Sequence, residues 1–289
     1  MTIAITGATG HLGRLVIDEL LSRAEPATIV ALARDTAKAA DMATRGVQVR
    51  PFDYDRPETL APALDGVDRL LLISGSAVGQ RVPQHAAVIA AATTAGVPFV
   101  AYTSVLHADT ATHLAVAPEH VETEALLAEA PFTVALLRNG WYSENLVDTA
   151  KQAADSGVLL TSADDGKQFT ASRADFAAAA AAVLTAQTAP AATYELAGDT
   201  GFSYEQFAGM VSELTGKPVT VNHVSSQEHR AALADAGLPD GLVDFLVSTD
   251  QAIADGELAD TEPGTLSSLI GRPTTPMGET LAKVAVNRV

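Results

Sequence analysis

Gly7, Gly10 and Gly13 recur every third residue, directly after a short apolar run from Thr2 to Thr6. Leu12, Leu15, Val16, Leu20 and Leu21 then follow at helical intervals. The order is strand, turn, helix. Each glycine has a task there: Gly7 turns the chain off the strand, Gly10 lets backbone approach a pyrophosphate, and Gly13 lets the helix lie close on the sheet. The N–H groups opening the helix, at His11 and Leu12, have no acceptor within it and face the phosphates together with Thr9 of the turn. The chemistry this predicts is the binding of a dinucleotide.

A second apolar run, Ala27 to Ala33, ends at Arg34. The residue at that point of a dinucleotide fold meets the adenosine ribose, where a carboxylate suits a 2′-hydroxyl and an arginine a 2′-phosphate. Arg34, with Lys38 nearby, favours NADP over NAD, so the expected cofactor is NADPH; the adjacent Asp35 is placed to play the opposite part.

The elements that must position these residues read as α/β. Val47 to Phe52, Asp68 to Ser74, Val97 to Ser104 and Phe132 to Leu137 are short apolar runs separated by helical patterns. Such runs imply strands buried on both faces, as in a parallel, doubly wound Rossmann-type sheet. Ligands bind such sheets at the carboxyl ends of the strands. Three segments meet that edge: the Ser74–Arg81 loop, which with Ser74, Ser76 and Arg81 either lines the nicotinamide ribose or simply connects strand to helix; Tyr102, Thr103 and Ser104 ending the fifth strand; and the segment 138–145. Asp55, before Pro57, reads as a helix start.

From residue 147 the alternation loosens. Strands are predicted at 157–161, 192–197 and 217–224, an amphipathic helix at 173–186, and a serine-capped helix at 203–214. This gives a nucleotide-binding domain over 1–150 and a smaller C-terminal α/β lobe over 151–289 that returns at least one strand to the main sheet.

Composition narrows the classes. With 289 residues, 47% of them hydrophobic, the chain can bury a substantial core. It has no cysteine, which excludes disulfides, thiolate metal sites and cysteine-based catalysis. The histidines show no metal-ligand spacing, so no metal is expected. A net charge of −17 argues against nucleic acid or an anionic membrane as partner. The first strand leaves no room for a leader and no apolar run is long enough to span a bilayer, so a soluble, cytoplasmic protein is expected. A homo-oligomer is compatible with all of this.

The segment TGATGHLG resembles the fingerprint of the short-chain dehydrogenases. The segments LLLISGSAVGQR, AYTSVLHADT, EHVETEALLAEA and LLRNGWYSEN are far more diagnostic, and with SRADFAAAAAAVL, YELAGD and GLPDGL they resemble the type 2 NAD(P)H:quinone oxidoreductases over nearly the whole chain. These are NmrA-like members of the atypical short-chain dehydrogenases. The resemblance implies NADPH-dependent quinone reduction by direct hydride transfer, without flavin. It implies that Asp53 meets the adenine amine, and that Trp141, Tyr142 and Asn139 line the acceptor pocket, the aromatics stacking on a planar quinone and the polar groups bonding its carbonyls. Trp141 and Tyr142 read equally as a wedge between the lobes.

One departure from the wider superfamily carries meaning. Its usual Tyr-x-x-x-Lys pair is replaced by His120-x-x-x-Glu124, and no lysine lies between Lys38 and Lys151. Alcohol dehydrogenation is thereby disfavoured. His120 and Glu124 read as solvated helix residues on an acidic face with Glu122 and Glu129, the alternative being that they occupy the tyrosine and lysine places. The missing pair also fits a dinucleotide-binding redox sensor without turnover, and the acceptor could instead be an azo compound or an activated carbonyl.

Overall fold

A computed structural model describes residues 1–77, 79–188, 190–260 and 263–286. Its strands are β1 (Ile3–Ile5), β2 (Ile29–Ala33), β3 (Gln48–Pro51), β4 (Arg69–Leu72), β5 (Phe99–Val105), β6 (Thr133–Asn139), β7 (Val158–Thr161), β8 (Thr193–Leu196) and β9 (Thr220–His223). The first half carries helices α1 (His11–Leu21), α2 (Ala40–Thr44), α3 (Leu60–Ala63), α4 (Arg81–Ala95), α5 (Ala117–Ala128) and α6 (Val147–Ser156). The second half carries α7 (Arg173–Thr185), α8 (Tyr204–Thr215), α9 (Ser226–Asp235), α10 (Asp240–Ala254), α11 (Thr265–Ile270) and α12 (Met277–Val286).

Seven strands pair in the order β3-β2-β1-β4-β5-β6-β8, every pairing parallel. The order reverses between β1 and β4, and the crevice beyond their carboxyl ends is where such sheets bind ligands. Alternation splits the core in two. Ile3, Ile5, Ile29 and Leu71 bury one face with α1 and α7, whereas Ala4, Val30, Leu70 and Val100 bury the other with Val88 and Ala92 of α4. β8 is the strand that the later chain returns to the sheet. β7 and β9 form a separate parallel pair, over a third apolar cluster that includes Phe207 and Ile253. No helix among the described residues is long and apolar enough to cross a membrane.

Several local expectations change. β6 runs two residues further than expected, because Ser104 and Val105 of β5 and Glu195 and Leu196 of β8 keep pairing with it; Arg138 and Asn139 are therefore strand residues. α7 is not amphipathic. It is buried almost all round, including Asp175, since its alanines let it fit between the sheet, α1 and α11. Asp55 caps nothing: Arg56 holds the cap position of the 3₁₀ turn at Pro57–Thr59, and the Asp55 N–H instead donates to Asp53 Oδ1 at 3.2 Å. Residues 27 and 28 sit in a 3₁₀ turn opened by Pro26 rather than in β2.

Candidate active site

A cleft of about 580 Å³ opens over the carboxyl ends of β1 to β4, within the range of small-molecule sites. Its floor is the glycine turn. Gly7 has φ +58°, a left-handed conformation that favours glycine. A Cβ at Gly13 would lie 2.3 Å from Gly7 O and 2.8 Å from Ala8 Cα, both backbone atoms, so only glycine lets α1 approach the turn. Gly10 occupies the cap position of α1 and no side chain caps the helix. The first N–H groups of that helix therefore have no side-chain acceptor at the mouth of the cleft. A cradle that only glycine permits, next to an uncapped helix start, fits a dinucleotide pyrophosphate.

The expected cofactor residues Gly7, Thr9, Gly10, His11, Leu12, Gly13, Arg34, Asp53, Ser74 and Ser76 all line this cleft. At its β2 end, Asp35 is committed to capping the next turn, accepting the Ala37 N–H at 3.1 Å. Arg34 and Lys38 are exposed beside it. Neither forms a salt bridge among the described residues. Val78 of the Ser74–Arg81 loop lies outside the described residues.

Arg81, Tyr102, Thr103 and Ser104 do not line the cleft; they stand behind it. Arg81 Nε donates to Gly75 O at 2.5 Å, and Thr103 Oγ1 accepts the Ser74 N–H at 2.8 Å. Tyr102 is fully buried, its hydroxyl 2.7 Å from His120 Nδ1. Ser104 donates to Glu124 Oε1 at 2.5 Å.

These contacts correct the reading of α5. His120 is buried, and the Glu124 side chain is only 11% exposed, accepting from Arg138 Nη2 at 2.7 Å and Nε at 3.0 Å. Arg138 also bridges to Glu195 and Asp109. The helix turns this edge inward, toward polar partners at the ends of β5 and β6, while Glu122 and Glu129 remain in solvent. Burial, then Arg81 and His85, lower the His120 pKa to about 3, so it is neutral at physiological pH. Burial pushes the Tyr102 hydroxyl up, and Glu124 holds Arg138 firmly charged. Neither His120 nor Glu124 reproduces a lysine-assisted tyrosine acid.

Trp141, Tyr142 and Asn139 gather at the end of β6. Asn139 is buried; its Nδ2 donates to Tyr142 Oη at 3.4 Å, and its Oδ1 has no hydrogen-bond partner among the described residues. Tyr142 packs edge-on against Phe176, with the Arg173 guanidinium 4.7 Å over its ring. Trp141 stacks on Phe245 of α10, at 5.9 Å and 29°. Sequence reasoning missed the pair behind Gly75 in which the His85 ring meets the Thr123 hydroxyl at 3.0 Å; a lone histidine one helical turn before Val88 and Ile89 was the available signal. Among the described residues no group of three metal-ligating side chains converges.

Residues 1–270 match the NmrA-like family. The chain belongs to the NmrA-like family. Among its relatives, quinone oxidoreductase 2 of Escherichia coli is 49% identical over 280 residues, 97% of each chain. The crystal structure of the Escherichia coli NADPH-dependent quinone oxidoreductase complexed with NADPH superposes with a TM-score of 0.94 at 48% identity, covering 98% of this chain and all of that one. A Citrobacter triphenylmethane reductase complexed with NADP(H) superposes at 0.91 with 35% identity, covering 98% and 99%. The NmrA-like, Rossmann-type assignment thus rests on sequence and fold together.

Proposed function

We propose that this NmrA-like protein reduces quinones with NADPH, by direct hydride transfer and without a flavin. The observation that carries the reading is the 49% identity, spread over 97% of both chains, to a quinone oxidoreductase. The cleft supports it. The Gly7–Gly13 turn and the start of α1 hold the pyrophosphate, Arg34 and Lys38 take the 2′-phosphate, and Asp53 meets the adenine. Phosphate sits at the switch point between β1 and β4, so the adenosine half lies toward β2 and β3. Ser74 and Ser76, at the end of β4, then flank the nicotinamide half.

When bound, NADPH supplies a hydride, and one proton from solvent completes the hydroquinone. The chain's own residues orient the acceptor: Trp141 and Tyr142 offer aromatic surface, and the Asn139 NH₂, whose one contact is the long bond to Tyr142 Oη, donates its other hydrogen to a quinone carbonyl. A hydroquinone anion is much less basic than an alkoxide, so no buried acid is required. This accords with His120 and Glu124, which are engaged in internal hydrogen bonds. We place the activity in the cytoplasm, with a nucleotide-binding unit over 1–150 and a smaller lobe over 151–289.

The test is optical: oxidation of NADPH by purified protein with 1,4-benzoquinone, no added flavin, and NADH as the paired control. Quinone-dependent loss of NADPH confirms hydride transfer. NADPH binding with no turnover across several acceptors overturns it in favour of a redox sensor. The 35% identity to a triphenylmethane reductase favours a second acceptor class, triphenylmethane dyes, which belongs in the same panel.

A further inference from the structure

Beyond Leu72 the backbone leaves the sheet, yet its next three N–H groups are not left to solvent. Ile73 donates to Thr6 Oγ1 at 2.9 Å, Ser74 to Thr103 Oγ1 at 2.8 Å, and Gly75 to His85 Nε2 at 3.0 Å. Three side chains, from the residue after β1, from β5 and from α4, thus replace the ladder where the glycine turn diverges from β4. The segment so held lines the cleft through Ile73, Ser74 and Gly75.

The Gly75 contact is directional. Because a backbone N–H can only donate, Nε2 must carry the lone pair, and a neutral imidazole then has its proton on Nδ1. Nδ1 lies 3.0 Å from Thr123 Oγ1, and the Thr123 hydroxyl donates onward to Glu119 O at 2.8 Å. The chain Gly75, His85, Thr123, Glu119 therefore runs one way, with every hydrogen assigned. Gly75 O is gripped from the same side by Arg81 Nε, and Glu119 Oε1 accepts the Gly79 N–H at 2.8 Å. The His85 side chain is fully buried and meets Tyr102 edge-on at 5.5 Å.

We propose that His85 is a positioning residue for hydride transfer, setting the Ser74–Ser76 segment against the nicotinamide half of the cofactor from behind the cleft. The inference rests on the NADPH-dependent reading above. Its physical basis is that a reacting group misplaced by an ångström loses much of its rate, whereas binding at a remote subsite is untouched. The adenosine half of the cleft, at Arg34, Lys38 and Asp53, shares no hydrogen bond with His85.

The experiment compares wild type, His85→Leu and His85→Gln in three measurements: binding of 2′,5′-ADP, NADPH affinity, and single-turnover oxidation of bound NADPH by 1,4-benzoquinone. 2′,5′-ADP carries the adenosine half alone and also reports an intact fold. We expect His85→Leu to slow the hydride step at least tenfold while 2′,5′-ADP binding stays within twofold. His85→Gln, whose amide oxygen can accept from Gly75 and whose NH₂ can donate to Thr123, should recover most of the rate. A His85→Leu hydride step within twofold of wild type overturns the proposal. So does joint loss of 2′,5′-ADP binding, which makes His85 a general support of the fold, or failure of glutamine to rescue. Wild-type protein that binds no 2′,5′-ADP refutes the cofactor reading instead.

Discussion

Glu124 and Arg138 form a two-bond fork, 2.7 and 3.0 Å, between α5 and the end of β6, where the His120-x-x-x-Glu124 spacing parallels the Tyr-x-x-x-Lys of ordinary short-chain dehydrogenases. Arg138 has its side chain only 9% exposed and also meets Glu195 and Asp109, so it neutralises a cluster of carboxylates. Restoring the lysine should therefore not restore alcohol chemistry. Glu124→Lys sets two cations together and frees Glu195; we expect a loss of about 3 to 5 kcal/mol, the cost of breaking a buried pair. Urea unfolding measures it, and the milder Glu124→Gln should lose less than half as much.

Cofactor choice is testable at the other end of the cleft. With Asp35 occupied as a cap, Arg34 is left to meet a 2′-phosphate. Arg34→Ala should raise the KM for NADPH roughly 10- to 100-fold, the worth of about 1.5 to 3 kcal/mol in charged hydrogen bonds. The KM for NADH should stay within about twofold. An unchanged NADPH:NADH ratio removes Arg34 from the role.

Gly13→Ala tests the cradle without touching charge. The new Cβ meets backbone on two sides, at 2.3 and 2.8 Å, and neither atom belongs to a flexible side chain. Overpacking of this kind costs about 1 to 3 kcal/mol. α1 must shift, so NADPH binding should fall at least tenfold alongside a lowered melting temperature. Gly209→Ala, mid-way along α8 where an added Cβ meets nothing within 4 Å, is the control: it should leave NADPH binding unchanged and raise rather than lower the melting temperature, alanine being the better helix former.

How far the sequence reached is visible in these examples. The sheet and the glycine cradle were legible, because apolar runs and glycine spacing are local signals tied to burial and to backbone geometry. The polar interior was not. Glu124 and Arg138 are fourteen residues apart, and His85 and Thr123 thirty-eight; nothing local says that an α5 edge rich in glutamate turns inward. α7 misled for a related reason: its alanines carry little periodicity, and its burial on all sides is a fact of tertiary packing. Arg138 and Asn139 were placed past their strand because only neighbouring β5 and β8 extend it.

The residues proposed to meet the acceptor separate by their contacts. Asn139→Ala removes an amide whose only hydrogen bond among the described residues is the long one from Nδ2 to Tyr142, so its loss should cost the fold little; losing the NH₂ donor to the quinone should cost turnover at least tenfold in kcat/KM with NADPH affinity unchanged. Trp141→Ala should do the reverse in part, since its ring stacks on Phe245; a stability loss of about 3 to 5 kcal/mol is expected, an upper range for a half-buried side chain. Stopped-flow turnover and urea melts on the same samples distinguish them. Turnover unchanged in Asn139→Ala and Tyr142→Phe together moves the acceptor site elsewhere.

Acid sensitivity follows from the two buried imidazoles. Burial, then the Arg81 charge, lowers His85 from 6.5 to about 4, and His120 falls to about 3. The folded values lie below the unfolded one, so the unfolded chain takes up the protons first and acid favours unfolding. Their contribution is complete above about pH 7 and shrinks as the pH falls from 6.5 toward 4. At 1.36 kcal/mol per unit, His85 alone should remove on the order of 3 kcal/mol by pH 4. Urea unfolding between pH 7 and 4.5 should show stability falling with a slope that approaches two protons. In His85→Gln the slope should drop by one proton, about 1.4 kcal/mol per pH unit near pH 5. A slope identical to wild type would mean that His85 is not held neutral by the fold, and the one-way chain from Gly75 to Glu119 would lose its basis.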